Sequence, residues 1–277
     1  MKDKVIRSIR DYLDIIESIA SVYATHIMKS DLIFRGLSSY NHMLIPGVYR
    51  AIAGESAQGP TSHPSYGEAT EYEILRHFIK NAMSIVDHID KDDLLTWLTY
   101  AQHFGAPTRL LDFSSNPLIS LYFSCKREPE LDGGICIVHE RNYVHSLHLN
   151  AKNQTKRDVL NEILDNVIDS SHPCTPYPVV FIPHYIDNRM EAQASRFLVW
   201  GNDKTAFESI ADRHGSMLEE ESRAFFCKIR VDASCKRSLL RELSFLGVNE
   251  KKLFPGLDGI GKYISEYYRR TEQDYIE

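Results

Sequence analysis

Apolar positions recur at helical spacing near the start of the chain: Val5, Ile9, Tyr12, Ile16, Ile19 and Tyr23 fall on one face. The pattern predicts a long amphipathic helix over about residues 3–29. Leu32-Ile33-Phe34 then reads as a short buried strand that ends on Arg35 and Gly36. From Ala51 to Gly67, prolines, glycines and small polar residues leave no packing face, which predicts a connecting loop able to act as a lid. Helical periodicity returns through Tyr72, Leu75, Ile79 and Met83, and again from Asp92 to Phe104, where Leu94, Leu95, Leu98 and Ala101 would be buried.

Further on, Ile135 to Val138, Val179 to Ile182, Phe197 to Trp200 and Phe225 to Val231 read as short strands. A polar helix is predicted from Thr155 to Asp169, and two closing helices from Ser234 to Phe245 and Gly259 to Tyr268. Strands and helices without regular βαβ alternation predict an α+β class, with a mixed or antiparallel sheet flanked by helices. No repeat and no linker divides the chain, so a single domain over residues 1–277 with a helical C-terminal close is expected.

The 43% hydrophobic fraction of the 277 residues is enough for a substantial core. With 32 basic against 38 acidic residues the formal charge is -6, which argues against broad affinity for nucleic acid or an anionic membrane surface. No apolar run approaches the roughly 20 residues needed to span a bilayer, and the first residues do not form a signal peptide. Five cysteines, odd in number and without a CxxC pair, suit reduced thiols, so a cytoplasmic protein is expected. His139, His145 and His148 lack a cysteine or carboxylate at ligand spacing, and no metal is expected. GxGxxG, GxxxxGK[ST] and GxSxG are all absent.

Candidate chemistry concentrates between Ala101 and Ser124, where Gln102, His103, Thr108, Arg109, Asp112, Ser114, Ser115 and Asn116 form a turn-rich polar segment between two apolar runs. Asn116-Pro117 predicts a helix start, with the asparagine as N-cap and the proline in the first turn. Arg109 and Asp112 are spaced to clamp a loop, and His103 is placed either to favour a helix C-terminus or to act as a general base. Arg35 can read a phosphate or carboxylate ligand, or pair with a buried carboxylate such as Asp112.

These residues resemble the FRG domain family, named for the Phe-Arg-Gly seen at Phe34-Arg35-Gly36. Gln102-His103, Gly105, Pro107-Thr108-Arg109-Leu110-Leu111-Asp112, Asn116-Pro117-Leu118 and Tyr122-Phe123 look like its central signature. Arg189, Gln193 and Phe197 look like a later Arg-x-x-x-Gln-x-x-x-Phe element, and Leu253-Phe254-Pro255 with Leu257-Asp258-Gly259 like its close. The resemblance runs from about residue 30 to about 265 and implies a setting in bacterial stress or phage defence.

The order of segments is also similar, more weakly, to that of ADP-ribosyltransferases of the arginine-serine-glutamate type. That likeness implies NAD as substrate, Arg35 on its diphosphate or nicotinamide ribose, and Ser114 orienting the site. The expected carboxylate position holds Gln193, leaving Glu191 or Asp112 as alternative carboxylates. The candidate set is therefore Glu191, Gln193 and His103 for catalysis, with Arg35, Gln102, Arg109, Ser114 and Arg189 for ligand binding. A non-catalytic module sensing a nucleotide or a protein is the alternative, and a nuclease using His103 and Asp112 a third. Whether a transferred group would go to a protein or a nucleic acid is left open by the sequence.

Overall fold

Three segments, LIFRGL, GGICIVH and FCKIRV, place apolar side chains on both sides of the backbone, the composition of strands covered on two faces. In the computed structural model, which describes residues 4–21, 31–50, 66, 70–86, 88–146, 154–214 and 225–269, they form the middle of a seven-stranded sheet. In chain order the elements are β1 (Val5–Ile6), α1 (Ile9–Ser21), β2 (Leu32–Leu37), α2 (Glu71–Ala82), α3 (Leu94–His103), β3 (Leu110–Ser114), α4 (Pro117–Cys125), β4 (Gly133–His139) and α5 (Glu140–Ser146). There follow α6 (Lys156–Ile168), β5 (Val179–Phe181), α7 (Asn188–Ala192), β6 (Ser195–Val199), α8 (Phe207–Arg213), β7 (Phe226–Val231), α9 (Lys236–Phe245), α10 (Glu250–Leu253) and α11 (Leu257–Tyr268).

Strand order is β1-β7-β4-β2-β3-β6-β5. Only the β1–β7 pairing is parallel, so the sheet is mixed and the chain is of the α+β class. Alternation along the strands sorts the core by face. Phe34, Ile135, Ile137 and Ile229 pack beneath α1, α4 and α9. On the opposite face Ile33, Leu37, Cys136 and Val138 join Leu111, Phe113, Leu198 and Trp200 around Phe207 of α8. At the far end of the first face, Leu110, Phe197 and Val199 pack against α3 and α6.

The ladder is uneven. β2 and β4 share six register pairs and β3 and β6 share five, whereas β2 and β3 meet at one, Phe34 opposite Ser114. Beyond that pair the two strands diverge and leave a seam in the middle of the sheet.

Several predicted bounds shift. Val5 and Ile6 do not begin the first helix: they add a short parallel strand to β7, with the Arg230 amide donating to the Lys4 carbonyl and the Asp232 amide to that of Ile6. Ile6 is fully buried there, an outcome that helical spacing alone does not distinguish from a first helical turn. Ser8 and Asp11 then exchange hydrogen bonds at the start of α1. The expected end of that helix beyond residue 21, and the lid proposed for Ala51 to Gly67, lie outside the described residues apart from Tyr66. The polar segment expected as a turn contains β3, a central strand between β2 and β6. The Asn116 carboxamide caps α4 as expected, accepting from the Leu118 amide at 2.9 Å.

Candidate functional site

The seam opens into a cleft of about 1370 Å³. β2 contributes Phe34 to Leu37, β3 contributes Asp112 to Ser114, and α3 contributes Gln102 and His103. The α7 segment adds Arg189 and Gln193, and the C-terminal helices add Glu250 and Phe254. Its walls thus use both faces of the sheet, because diverging strands leave no ladder to close the floor.

Each residue of the Phe34-Arg35-Gly36 triplet has a separate physical task. Phe34 is buried in the core under α4. Gly36 lies on the same face, where a Cβ would come within 1.9 Å of the Ser120 carbonyl oxygen and 2.7 Å of the Ser124 amide nitrogen, so only glycine lets α4 approach this closely. Arg35 lies between them on the other face and crosses the seam. Its guanidinium donates to the Asp112 main-chain oxygen and sits 3.7 Å from the Asp112 carboxylate. Burial pushes the guanidinium below its ordinary value, Asp112 offsets part of that, and Arg50 adds to it.

A relay steadies Asp112. Thr108 Oγ1 donates to Gln102 Oε1 at 2.6 Å, and Gln102 Nε2 donates to Asp112 Oδ2 at 2.7 Å. Both ends of the Gln102 amide are therefore spent on holding the carboxylate beside Arg35. Opposite, His103 Nε2 lies 2.6 Å from Asp187 Oδ2, and the other Asp187 oxygen caps α7 by accepting from the Met190 amide at 2.9 Å. A carboxylate fixed on both oxygens fixes the imidazole plane.

Ser114 and Gln193 also meet. Ser114 Oγ donates to the Gln193 carbonyl at 2.8 Å and accepts from the Asn116 amide at 3.0 Å. Gln193 Nε2 donates to the Leu253 carbonyl at 3.0 Å, tying the end of α7 to α10. Between Gln193 and Ser195 the chain turns through Ala194 at φ 47°, a left-handed conformation that β6 needs in order to leave α7 at this angle.

Arg35, Gln102, His103, Ser114, Arg189 and Gln193 accordingly line one cleft. Two other candidates lie elsewhere. Arg109 is buried just before β3 and outside the cleft, its Nε 2.7 Å from Glu71 Oε2 and its Nη1 donating to the Asn166 side chain and the Trp200 carbonyl at 3.3 Å each. The expected Arg109–Asp112 clamp is thus replaced by two separate pairs, Arg109 with Glu71 and Arg35 with Asp112. Glu191 is exposed on α7 and does not line the cleft.

Sequence reasoning passed over Asp187 and Glu250. The Asp187-Asn188 pair was legible as a helix cap. Glu250 is buried, accepts from the Tyr122 hydroxyl and lies 3.0 Å from Lys126 Nζ, and Lys126, the C-cap of α4, follows Tyr122 by four residues. Burial alone would push the Glu250 carboxyl up, but the Tyr122 hydroxyl and the Lys126 ammonium outweigh it and hold the group below its ordinary value.

Buried side-chain nitrogen or oxygen atoms without a hydrogen-bond partner occur on two of the described residues, Arg35 at Nε and Tyr49 at Oη. Both residues line the cleft. Among the described residues no group of three histidine, cysteine or carboxylate side chains is gathered as a metal site. Nor, among them, is any helix long and apolar enough to cross a membrane.

An α+β chain with a ligand-sized cleft at a broken seam of its sheet is the class that fold and site define. Residues 30–133 match the family model of the FRG domain, and that part of the chain is similar to it. The match takes in β2, the relay of Gln102, Thr108 and Asp112, and α4. The remaining cleft residues, from Asp187 onward, lie beyond it. No curated protein and no solved structure matches the chain.

Proposed function

We propose that the cleft binds a nucleotide through its phosphate groups, with Arg35 as the anion clamp, and that the protein acts as a nucleotide-sensing module. The observation that carries this reading is the meeting of Arg35, Gln102, His103, Ser114, Arg189 and Gln193 around one cavity. Its volume of about 1370 Å³ exceeds that of ordinary small-molecule pockets, which suits a dinucleotide such as NAD better than a single sugar or base. A guanidinium held in a partly desolvated wall is matched to a diphosphate.

Recognition without turnover is favoured by the disposition of the amide and the carboxylate. Gln193 spends its amide nitrogen on Leu253, and Glu191 faces solvent outside the cavity. Arg35→Ala is expected to weaken binding of NAD or ADP on the order of ten- to a hundredfold, the range of one or two hydrogen bonds to a charged group. Calorimetric titration measures this, with circular dichroism verifying the fold, and unaltered affinity would count against the clamp.

One observation favours a second reading, ADP-ribosyl transfer or NAD hydrolysis. Asp112 is a carboxylate more than half exposed in the cleft, placed between Arg35 and Gln102 where it could face a developing oxocarbenium ion. His103, oriented by Asp187, would then serve the acceptor as a general base, whether that acceptor is water, a protein or a nucleic acid. Incubation with labelled NAD separates the readings: nicotinamide release that disappears in Asp112→Asn supports an enzyme, and tight binding without release supports a sensor. A cytoplasmic role in stress or phage defence is compatible with either.

A further inference from the structure

Arg189 projects from α7 so that its guanidinium carbon lies 4.8 Å from the centre of the Phe254 ring. Phe254 in turn meets Phe123 of α4 edge to face, ring centres 6.2 Å apart and planes at 85°. All three residues line the cleft. The ring is firmly seated: a Cβ at Gly259 would come within 1.9 Å of the Phe254 carbonyl oxygen, and Gln193 holds the preceding carbonyl, that of Leu253. Among the described residues no carboxylate pairs with Arg189. Its charge is therefore uncommitted, while the ring beneath holds the guanidinium at this wall of the cleft.

We infer that Arg189 and Phe254 form a shelf on which a planar nucleobase stacks, so that the cleft reads the base at this end and the phosphates at Arg35. A guanidinium laid on an aromatic ring presents a second flat, weakly hydrated surface, which suits a heteroaromatic ring and not a sugar or a simple anion. The inference rests on the nucleotide-binding reading and deepens it by adding the base as a recognised part of the ligand. It also gives the segments beyond residue 133 a function distinct from that of the matched domain: phosphate at one end of the cleft, base at the other. Gln193 and Gly259 would be positioning residues, acting through Phe254.

The test compares ADP with inorganic pyrophosphate, titrated calorimetrically into the full chain. Wild type should bind ADP roughly tenfold or more tightly than pyrophosphate, the gain expected from one stacked base. Arg189→Ala and Arg189→Lys should both lose that preference while pyrophosphate affinity stays within about twofold, because lysine keeps the charge and loses the plane. Phe254→Leu should act in the same direction through a residue that keeps its apolar bulk. Equal loss of both probes in Arg189→Ala with rescue by lysine would show a simple charge effect and overturn the shelf, as would unchanged ADP binding. Failure of wild type to bind either probe would instead bring down the nucleotide reading itself, and the shelf with it.

Discussion

Arg109→Ala should lower the free energy of unfolding by about 3–5 kcal/mol, the usual consequence of removing one member of a buried ion pair. Arg109 and Glu71 are each less than one-tenth exposed, and the carboxylate takes both the Arg109 main-chain amide at 2.8 Å and Nε at 2.7 Å. Desolvation alone would lower the affinity of the guanidinium for its proton, yet the Glu71 carboxylate more than compensates, so the charge is kept. Alanine would strand that carboxylate against Tyr49, and would leave the Asn166 side chain and the Trp200 carbonyl without their shared donor. Chemical denaturation followed by tryptophan fluorescence measures the loss. A change below about 1 kcal/mol would mean that water reaches the site and that the pair is not sealed. Replacing both partners by apolar residues of similar volume should cost much less than removing either one alone.

Gly36→Ala is expected to be the next most damaging single change, at about 3 kcal/mol, the upper part of the range for overpacking. The atoms that an added methyl group would meet are main-chain atoms of α4, at 1.9 and 2.7 Å, so no side chain can turn aside to admit it. Either β2 or α4 must move, and with α4 would go the Asn116 cap and the wall containing Ile119, Ser120 and Phe123. Denaturation midpoints measure the loss of stability, and nucleotide titration should show a parallel loss of binding. Stability within 1 kcal/mol of wild type would show that α4 is free to lift away from the sheet.

What could be read from the sequence was mostly local. Asn116-Pro117 caps α4 through a bond spanning two residues, and of the periodic apolar positions of α2 and α3, Leu75, Leu98 and Ala101 are buried and Tyr72, Ile79, Leu94 and Leu95 partly so, whereas Met83, past the end of α2, is exposed. Of the cleft residues, Arg35, Gln102, His103 and Ser114 were legible as polar positions beside runs that need a core, and Arg189 and Gln193 through the family resemblance. Pairing was harder to foresee. Arg109 and Asp112 stand three apart, a spacing that suits a turn, but Asp112 lies in β3, whose extended backbone sends residues three apart to opposite faces, and the Arg109 partner lies 38 residues away on α2. β3 itself was hidden by its polar flanks, which are held inside the fold and are not solvent-facing turns: Thr108 and Arg109 are buried, and Ser115 bonds to the Ala194 carbonyl. β1 has two residues and exists only because β7 offers a free edge, a tertiary cause with no local signature.

Arg35, as the crossbar between β2 and β3, has a mechanical consequence. Between those strands the backbone supplies one register pair, against six and five on either flank, so the two halves are joined there by the guanidinium contact and by side-chain packing, above all of α4 on β2. The floor beneath the cleft is therefore braced by side chains where the rest of the sheet is braced by its main chain.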